Sequence, residues 1–166
     1  MKNIITPILF AVLLAGCATQ STAPRQALTH AEHLRRTSRT YDAPKSAVWP
    51  LVVSEVDRMG PVRAVEKDSG LLTTDFVSMQ AGYNYSEIGG LVIPPGSFLA
   101  IWAGLRMKLS VLVTEPETGK TQVTIRTHYE AFDRNVSKSW IVCQSTGALE
   151  LVILTRISQQ LTGRPF

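Results

Sequence analysis

The feature that most constrains the fold of this chain is a long alternation of apolar and polar side chains. It runs from Leu105 to Thr114, resumes from Val123 to Ala131, and is interrupted by the turn-forming residues 115–120. Successive side chains of a β-strand point to opposite faces, so the alternation predicts two strands that bury one face and expose the other. Because the connection is short, we expect the two strands to pair in an antiparallel sheet.

Two further segments show apolar residues at helical spacing. The first contains Val48, Leu51, Val52, Val56 and Met59, and the second contains Leu151, Leu154, Ile157 and Leu161. Between them, the β-type runs 62–67 and 71–78 are joined by an Asp-Ser-Gly turn, which is typical of a hairpin. This order predicts an α+β fold, in which two helices, one of them a long C-terminal helix, pack on one face of an antiparallel sheet.

The amino-terminal residues have the pattern of a cleavable signal. Lys2 precedes a largely apolar run over residues 4–15, which is shorter than the roughly 20 apolar residues that a membrane-spanning helix needs. The run ends in Leu14, Ala15, Gly16 and Cys17. These four residues resemble the lipobox of bacterial lipoproteins, in which the cysteine thiol receives a diacylglycerol and the new amino terminus is acylated after cleavage. The resemblance implies that Cys17 is lipidated.

The same resemblance predicts where the chain is anchored. A single acyl chain binds a membrane only marginally, whereas several acyl chains on one residue give stable attachment, since each buried CH₂ contributes about 0.8 kcal/mol. Ala18 follows the cysteine, whereas in the enterobacterial sorting pattern that it resembles an aspartate there retains a lipoprotein in the inner membrane. We therefore expect a lipid-anchored protein on the periplasmic face of the outer membrane.

The sequence predicts three parts. Residues 1–16 form the signal peptide, residues 17–37 form a lipidated flexible tether without apolar periodicity, and residues 38–166 form one domain. The 17 basic and 13 acidic residues give a net charge of +4, which is too mild to indicate nucleic-acid binding. With Cys17 committed to lipid, Cys143 has no partner for a disulfide within the chain.

Scattered residues of the predicted domain extend the resemblance to a family. They are Tyr41, Asp42, Pro44, Trp49, Gly60, the Asp68-Ser69-Gly70 turn, Trp140, Cys143 and the Ser145-Thr146-Gly147 entry to the last helix. Together with the long closing helix, these residues resemble one domain of the BamC-type lipoproteins, accessory subunits of the outer-membrane β-barrel assembly machinery. The resemblance covers about residues 38–162 and implies a helix-grip-like fold.

No catalytic or cofactor-binding motif is recognisable in the sequence. The nearest candidates for chemistry are a Cys143–His128 thiol pair and a metal site at His30 and His33, and each lacks the further residues that such a site requires. We expect Cys143 to be simply buried and Trp140 to anchor the core. The prediction is a protein that is not an enzyme and that uses neither a cofactor nor a metal.

The connection over residues 79–104 is unusually long and apolar for a link between two strands. One interpretation is that it folds back and completes the core. The other is an exposed surface for a partner or a membrane, with Tyr83, Tyr85, Phe98 and Trp102 as contact residues.

Two functions are compatible with these patterns. The first is an interaction or scaffold lipoprotein of an envelope complex, such as the one that assembles outer-membrane proteins. The second is a module that binds a lipid or another apolar molecule in the groove between the C-terminal helix and the sheet. A closed core with apolar residues outside favours the first, and an open groove beside Leu154 favours the second.

Overall fold

The computed structural model describes residues 29–79, 90–93, 95 and 99–163 of the chain. The helices named below are α1 (His30–Thr37), α2 (Lys45–Asp57) and α3 (Ala148–Thr162). The strands are β1 (Ser38–Tyr41), β2 (Val62–Glu66), β3 (Leu71–Thr74), β4 (Val77–Met79), β5 (Val92–Ile93), β6 (Trp102–Glu117), β7 (Lys120–Asp133) and β8 (Ser139–Ser145).

The long hairpin β6–β7 is the centre of an antiparallel sheet. Leu105 lies opposite Ala131, and Val113 lies opposite Val123. Strands β3 and β4 pair one after the other with β6, while β1 and β8 do the same with β7. Strand β2 extends the sheet beyond β3, and β5 extends it beyond β8. The predicted α+β fold, with an antiparallel sheet and a long C-terminal helix, is confirmed.

The main core lies between the sheet and the helices α2 and α3. The odd-numbered residues of β6 and β7 point into it, as the alternation in the sequence predicts. The fully buried members of this core include Val48, Val52, Val56, Leu72, Val111, Val113, Val123, Ile125, Ile153, Leu154 and Ile157. Both helices therefore pack on the same face of the sheet.

A second buried cluster lies at the other end of the hairpin. It consists of Val92, Leu105, Met107, Tyr129, Ala131 and Cys143. The described parts of the long connection contribute to it, since Val92 belongs to the cluster and Leu91 and Trp102 pack against it. Leu99 and Ile101 of the same connection are exposed. The described parts of this connection thus contain both core and surface residues.

Residues 30–37, which the sequence analysis assigns to a flexible tether, form helix α1. Its first turn is closed by a capping box, in which Thr29 Oγ1 accepts from the Glu32 backbone N–H and Glu32 Oε2 accepts from the Thr29 backbone N–H. Arg36 Nη1 also donates to the Thr146 carbonyl at 3.1 Å. The ordered domain therefore begins before the predicted boundary at residue 38.

Trp140 lies outside the core that the sequence analysis assigns to it. Residues 139–145 form strand β8, in which Trp140 pairs with Phe132 and is 38% exposed. The side chain points away from the helices because the neighbouring residues Ile141 and Cys143 take the inward positions. The prediction that Cys143 is buried is confirmed.

Candidate functional site

The side of the sheet opposite α2 and α3, called the outer face below, carries the even-numbered side chains of β6 and β7. Basic and aromatic side chains meet there. The aromatic–basic cluster is defined as Phe76, Arg106, Lys108, His128, Glu130, Phe132 and Trp140. No helix among the described residues packs over this cluster, so the outer face is the candidate functional surface.

Arg106 is the centre of the aromatic–basic cluster. Its guanidinium carbon lies 4.6 Å from the ring centre of Phe76 and 4.4 Å from that of Trp140. Lys108 Nζ lies 5.0 Å from the same Phe76 ring. A cation over an aromatic face gains about 0.5–1 kcal/mol at an exposed site. These contacts hold the two rings and the two cations in fixed relative positions although the surface is open.

Glu130 orients Arg106 from the neighbouring strand. Arg106 Nε donates to Glu130 Oε2 at 2.6 Å, and Glu130 Oε1 lies 3.0 Å from His128 Nε2. The hydrogen bond with His128, together with the charge and hydrogen bond of Arg106, holds the pKa of Glu130 below its usual range. Both oxygens of the single carboxylate in the cluster are thus already engaged within the chain.

The indole of Trp140 rests on the strand below it. The ring lies over Gly104, where an added Cβ atom would be at the ordinary contact distance of 3.4 Å from Trp140 Cη2. Phe132 flanks the indole, with ring centres 5.4 Å apart. One side of the indole is therefore supported by protein, and the residue remains partly exposed.

The tight connection from β7 to β8 positions Trp140. The Asp133 carboxylate accepts backbone N–H groups from Ile101, Asn135, Val136 and Ser137 at 2.8–3.3 Å, and also the Ser137 hydroxyl at 3.1 Å. These hydrogen bonds, the one from Ser137 above all, hold the pKa of Asp133 well below its usual range. The residue is 1% exposed. The ionised carboxylate thus ties the connection to the start of β6.

Replacing Asp133 by asparagine should lower the melting temperature at pH 7 by several degrees, because one of two multiply bonded carboxylate oxygens is lost. A carboxyl group whose pKa is lower in the folded state stabilises the fold above its unfolded pKa of about 4, and this contribution is lost as the pH falls below that value. The deficit of the variant should therefore shrink between pH 7 and pH 3. Thermal unfolding at several pH values measures it.

Asp75→Asn is the matched control, because the Asp75 side chain is 59% exposed and its nearest cation, Arg63, is 3.9 Å away. Its melting temperature should follow that of the natural chain at every pH. A deficit of Asp133→Asn that is equally large at pH 3 and pH 7 would contradict the assignment of ionised Asp133 as the organiser of this connection.

A shallow hollow of about 270 Å³ lies beside the aromatic–basic cluster. It is lined by Leu71, Ser110, Val111, Leu112, Thr124 and Arg126. Leu112 is 45% exposed, and Arg126 lies on the same outer face. The hollow therefore continues the outer face as a mainly apolar depression with a guanidinium group at its edge.

The residues that the sequence analysis singles out as lipobox or contact residues lie mostly outside the described residues. This holds for Leu14, Ala15, Gly16 and Cys17, and for Tyr83, Tyr85 and Phe98. Their predicted roles stay predictions. Trp102 is described, and its partly buried side chain packs against the second core cluster. The residues of the aromatic–basic cluster, by contrast, were not predicted to form a site.

The structure separates the two candidates for thiol chemistry. Cys143 lies opposite Tyr129 on the buried face, whereas His128, the preceding residue of β7, points to the outer face. His128 instead contacts Glu130 and the ring of Phe76. Burial also raises the pKa of the Cys143 thiol, which makes it a poor nucleophile.

Within residues 29–79, 90–93, 95 and 99–163, no three His, Cys, Asp or Glu side chains are arranged to hold a metal ion. In the same part of the chain, no helix combines the length and the apolar character needed to cross a membrane.

The fold and the outer face define the class of this molecule: an α+β domain with two helices on one face of an antiparallel sheet and, on the other, an aromatic–basic cluster over which none of the described helices packs. Comparison with models of known protein families gives no match, and comparison with curated proteins finds no significant similarity.

Proposed function

We propose that this chain is a lipid-anchored interaction protein that faces the periplasm from the outer membrane and binds a protein partner on its outer face. The observation that carries the proposal is the aromatic–basic cluster, in which Arg106 is held between Phe76 and Trp140, with no described helix packed over them. Tryptophan, tyrosine and arginine are the residues that most often dominate the energy of protein interfaces.

The packing of the other face supports this proposal over the alternative, a groove for a lipid or another apolar molecule. Such a groove would lie between the C-terminal helix α3 and the sheet. Ile153, Leu154 and Ile157 of that helix are completely buried, and they pack in one cluster with residues of β6 and β7. Their side chains fill the space that an apolar ligand would need.

The charges of the outer face favour one kind of partner. Lys108 and Arg126 are exposed and make no ion pair within the described residues. The Glu130 carboxylate already contacts Arg106 and His128. As far as the structure describes the chain, the surface thus has positive charge without an ion-pair partner beside apolar groups, including Val142, which is 59% exposed. A complementary partner segment carries Asp or Glu next to apolar side chains, one of which fits the hollow beside Leu112.

The lipid anchor has a role in this proposal. A protein held at the membrane meets other envelope proteins at a high effective concentration, so a modest affinity of the outer face is enough for association. The resemblance to BamC-type lipoproteins suggests the outer-membrane protein assembly machinery as the first complex to test.

The combined change Lys108→Glu and Arg126→Glu should reduce partner binding by about tenfold or more, because it places like charges against an acidic segment. Folding stability should be nearly unchanged, since both side chains are exposed. A photo-crosslinking residue at Val142 is used to capture the partner in intact cells. Mass spectrometry of the crosslinked peptide should find Asp or Glu beside apolar residues, and the crosslink yield should fall in the double variant.

Two controls make the experiment specific. Lys67→Glu with Lys120→Glu produces the same change in charge at two turns away from the aromatic–basic cluster, and it should leave the crosslink yield intact. A photo-crosslinking residue at Val152, which is 46% exposed on α3, should not capture the same peptide. Equal capture from Val142 and Val152, or a yield that the double variant does not change, would count against the outer face as the binding surface.

A further inference from the structure

The edge of β7 that faces away from β6 is not continuously paired. Strand β1 covers this edge at residues 121–124, and β8 covers it at residues 129–133. No described strand pairs with residues 125–128 on this side. Among the described strands, the pairing along this edge therefore has a gap four residues long, and Thr127 lies within it.

Helix α1 lies beside this gap and borders a half-open cavity of about 370 Å³, called the α1 cavity below. The volume is within the range of small-molecule sites, about 300–1,000 Å³. Its walls include His33 of α1, Thr127 and Arg126 of β7, Gln144 and Ser145 of β8, and Glu150 of α3. All of these residues belong to the described part of the chain.

The position of α1 beside the cavity is fixed by contacts with the start of α3. Arg36 donates to the Thr146 carbonyl at 3.1 Å. The stem of Arg36 also packs on Gly147, where an added Cβ would lie 2.7 Å from Arg36 Cβ. Gly147 has a φ of +73°, which favours glycine independently of this contact. The cavity is therefore a built feature of the domain.

Polar atoms of the cavity walls are buried without hydrogen-bond partners among the described residues. Glu150 is 1% exposed, and its Oε1 accepts from the Ser145 hydroxyl at 2.7 Å, whereas its Oε2 has no partner. Thr127 Oγ1 and His33 Nδ1 are also buried and unpartnered. A buried acceptor without a donor is costly, most of all when it belongs to a carboxyl group. Glu150, which lines the α1 cavity, thus has one carboxylate oxygen whose hydrogen-bonding capacity no described residue uses.

A positively charged side chain, opposite in sign to the Glu150 carboxylate, lies at the edge of the cavity. Arg126 lines it from the outer face and makes no ion pair within the described residues. We propose that the α1 cavity binds a small zwitterion, with its primary ammonium group on Glu150 and its anionic group at Arg126. An ammonium donor satisfies Glu150 Oε2 with a charge-assisted hydrogen bond, the strongest kind available to it. Phosphoethanolamine has this chemistry, either as a free molecule or as a lipid headgroup.

The proposal is tested by NMR titration of the full-length chain in a maltoside detergent. The headgroup of this detergent carries neither an ammonium nor an anionic group. O-phosphoethanolamine should shift the amide signals of Thr127, Gln144 and Ser145, ethanolamine should do so more weakly, and inorganic phosphate should not. Glu150→Gln preserves an acceptor for Ser145 but removes the negative charge, so it should weaken binding of both amines by about tenfold or more.

The variant Arg126→Gln tests whether Glu150 binds the ligand or only stabilises the fold. It also keeps the experiment decisive if Glu150→Gln does not fold. It should weaken binding of O-phosphoethanolamine and leave binding of ethanolamine unchanged, whereas the exposed control Arg63→Gln should change neither. Absence of shifts at the cavity residues, an equal response to phosphate alone, or an unchanged affinity of both cavity variants would overturn the proposal.

The source of the ligand is distinguished by competition. Maltoside micelles that contain phosphatidylethanolamine should displace O-phosphoethanolamine if the cavity binds a lipid headgroup, while micelles that contain phosphatidylcholine, whose headgroup lacks N–H donors, should not. Failure of the phosphatidylethanolamine micelles to compete assigns the site to a free zwitterion, and the ammonium–anion chemistry is supported in either case. The cavity and the proposed partner surface share Arg126, but Lys108 does not line the cavity, so Lys108→Glu should weaken partner binding and leave binding of the zwitterion unchanged.

Discussion

Replacing Leu154 by alanine should reduce the free energy of unfolding by about 2–5 kcal/mol, the usual cost of a large-to-small change in a packed core. Leu154 is completely buried in the cluster between α3 and the hairpin β6–β7. The backbone around it is also fixed, because its carbonyl accepts from the Tyr41 hydroxyl at 2.8 Å and from Arg39 at 3.2 Å. The surrounding structure can therefore collapse only partly into the space that the leucine leaves, and we expect the upper part of this range.

Urea unfolding of the purified protein measures this change, and Val152→Ala is its matched control. Val152 lies two residues away on the same helix and is 46% exposed, so its replacement should change the free energy of unfolding by no more than about 0.5 kcal/mol. A loss below about 0.5 kcal/mol for Leu154→Ala, or equal losses for both variants, would be incompatible with a closed core beneath α3. It would reopen the alternative of a ligand groove at that place.

The parts of the fold that could be predicted are those in which one face is apolar and the other polar. The hairpin is the best example, since its alternation predicts both the strands and their inward residues. Helix α2 could also be predicted, from the helical spacing of its apolar residues rather than from two contrasting faces, although Pro50 lies inside it. The helix begins at Lys45, so Pro50 is in its second turn and removes little of the hydrogen-bond ladder.

The sequence did not predict strand β8, because the two faces of this strand are equally apolar. Ile141 and Cys143 point inward, while Trp140 and Val142 point outward to the aromatic–basic cluster. The alternation that marks a half-buried strand is therefore missing, and Trp140 has the appearance of a core residue. An apolar residue at a position that the strand period assigns to solvent was the signal of the candidate functional surface.

Helix α1 was not predicted because, unlike β8, it contains few apolar residues. Only Thr37 of this helix is buried, so it has almost no apolar face. The capping box at Thr29 and Glu32 is local and visible in the sequence, but the bond from Arg36 to Thr146 joins residues 110 positions apart. Such a contact depends on the finished fold.

The candidate site is likewise a product of strand register. Phe76 precedes β4, and Trp140 lies in β8, but both reach the same side chain of Arg106 because β4 and β7 flank β6, and β8 follows β7 in the sheet. The sequence shows which basic residues occupy the polar positions of the alternating pattern in β6 and β7. It does not show which aromatic residues join them, since a shift of one residue in register would move each ring to the other face.

Replacing Cys17 by serine should abolish lipidation completely, because the hydroxyl of serine does not replace the thiol that receives the diacylglycerol in the lipoproteins that the motif resembles. Leu14, Ala15 and Gly16 precede this cysteine at the end of the apolar run. The variant should retain its signal or leave the membrane fraction, since the amino-terminal lipid is the proposed membrane attachment. Mass spectrometry of the amino-terminal peptide and fractionation of the envelope measure the two effects.

Cys143→Ser is the control that this chain offers, since Cys143 is the other of its two cysteines. Its thiol is buried in the second core cluster, and burial raises its pKa, so it should neither carry lipid nor replace Cys17. The control should keep the full mass of the lipidated amino terminus, with some loss of stability because a hydroxyl replaces a buried thiol. A natural chain whose Cys17 is unmodified, or whose first residue lies elsewhere, would refute the anchoring proposal. The outer-face interaction would then have to form without the gain in effective concentration that a shared membrane provides.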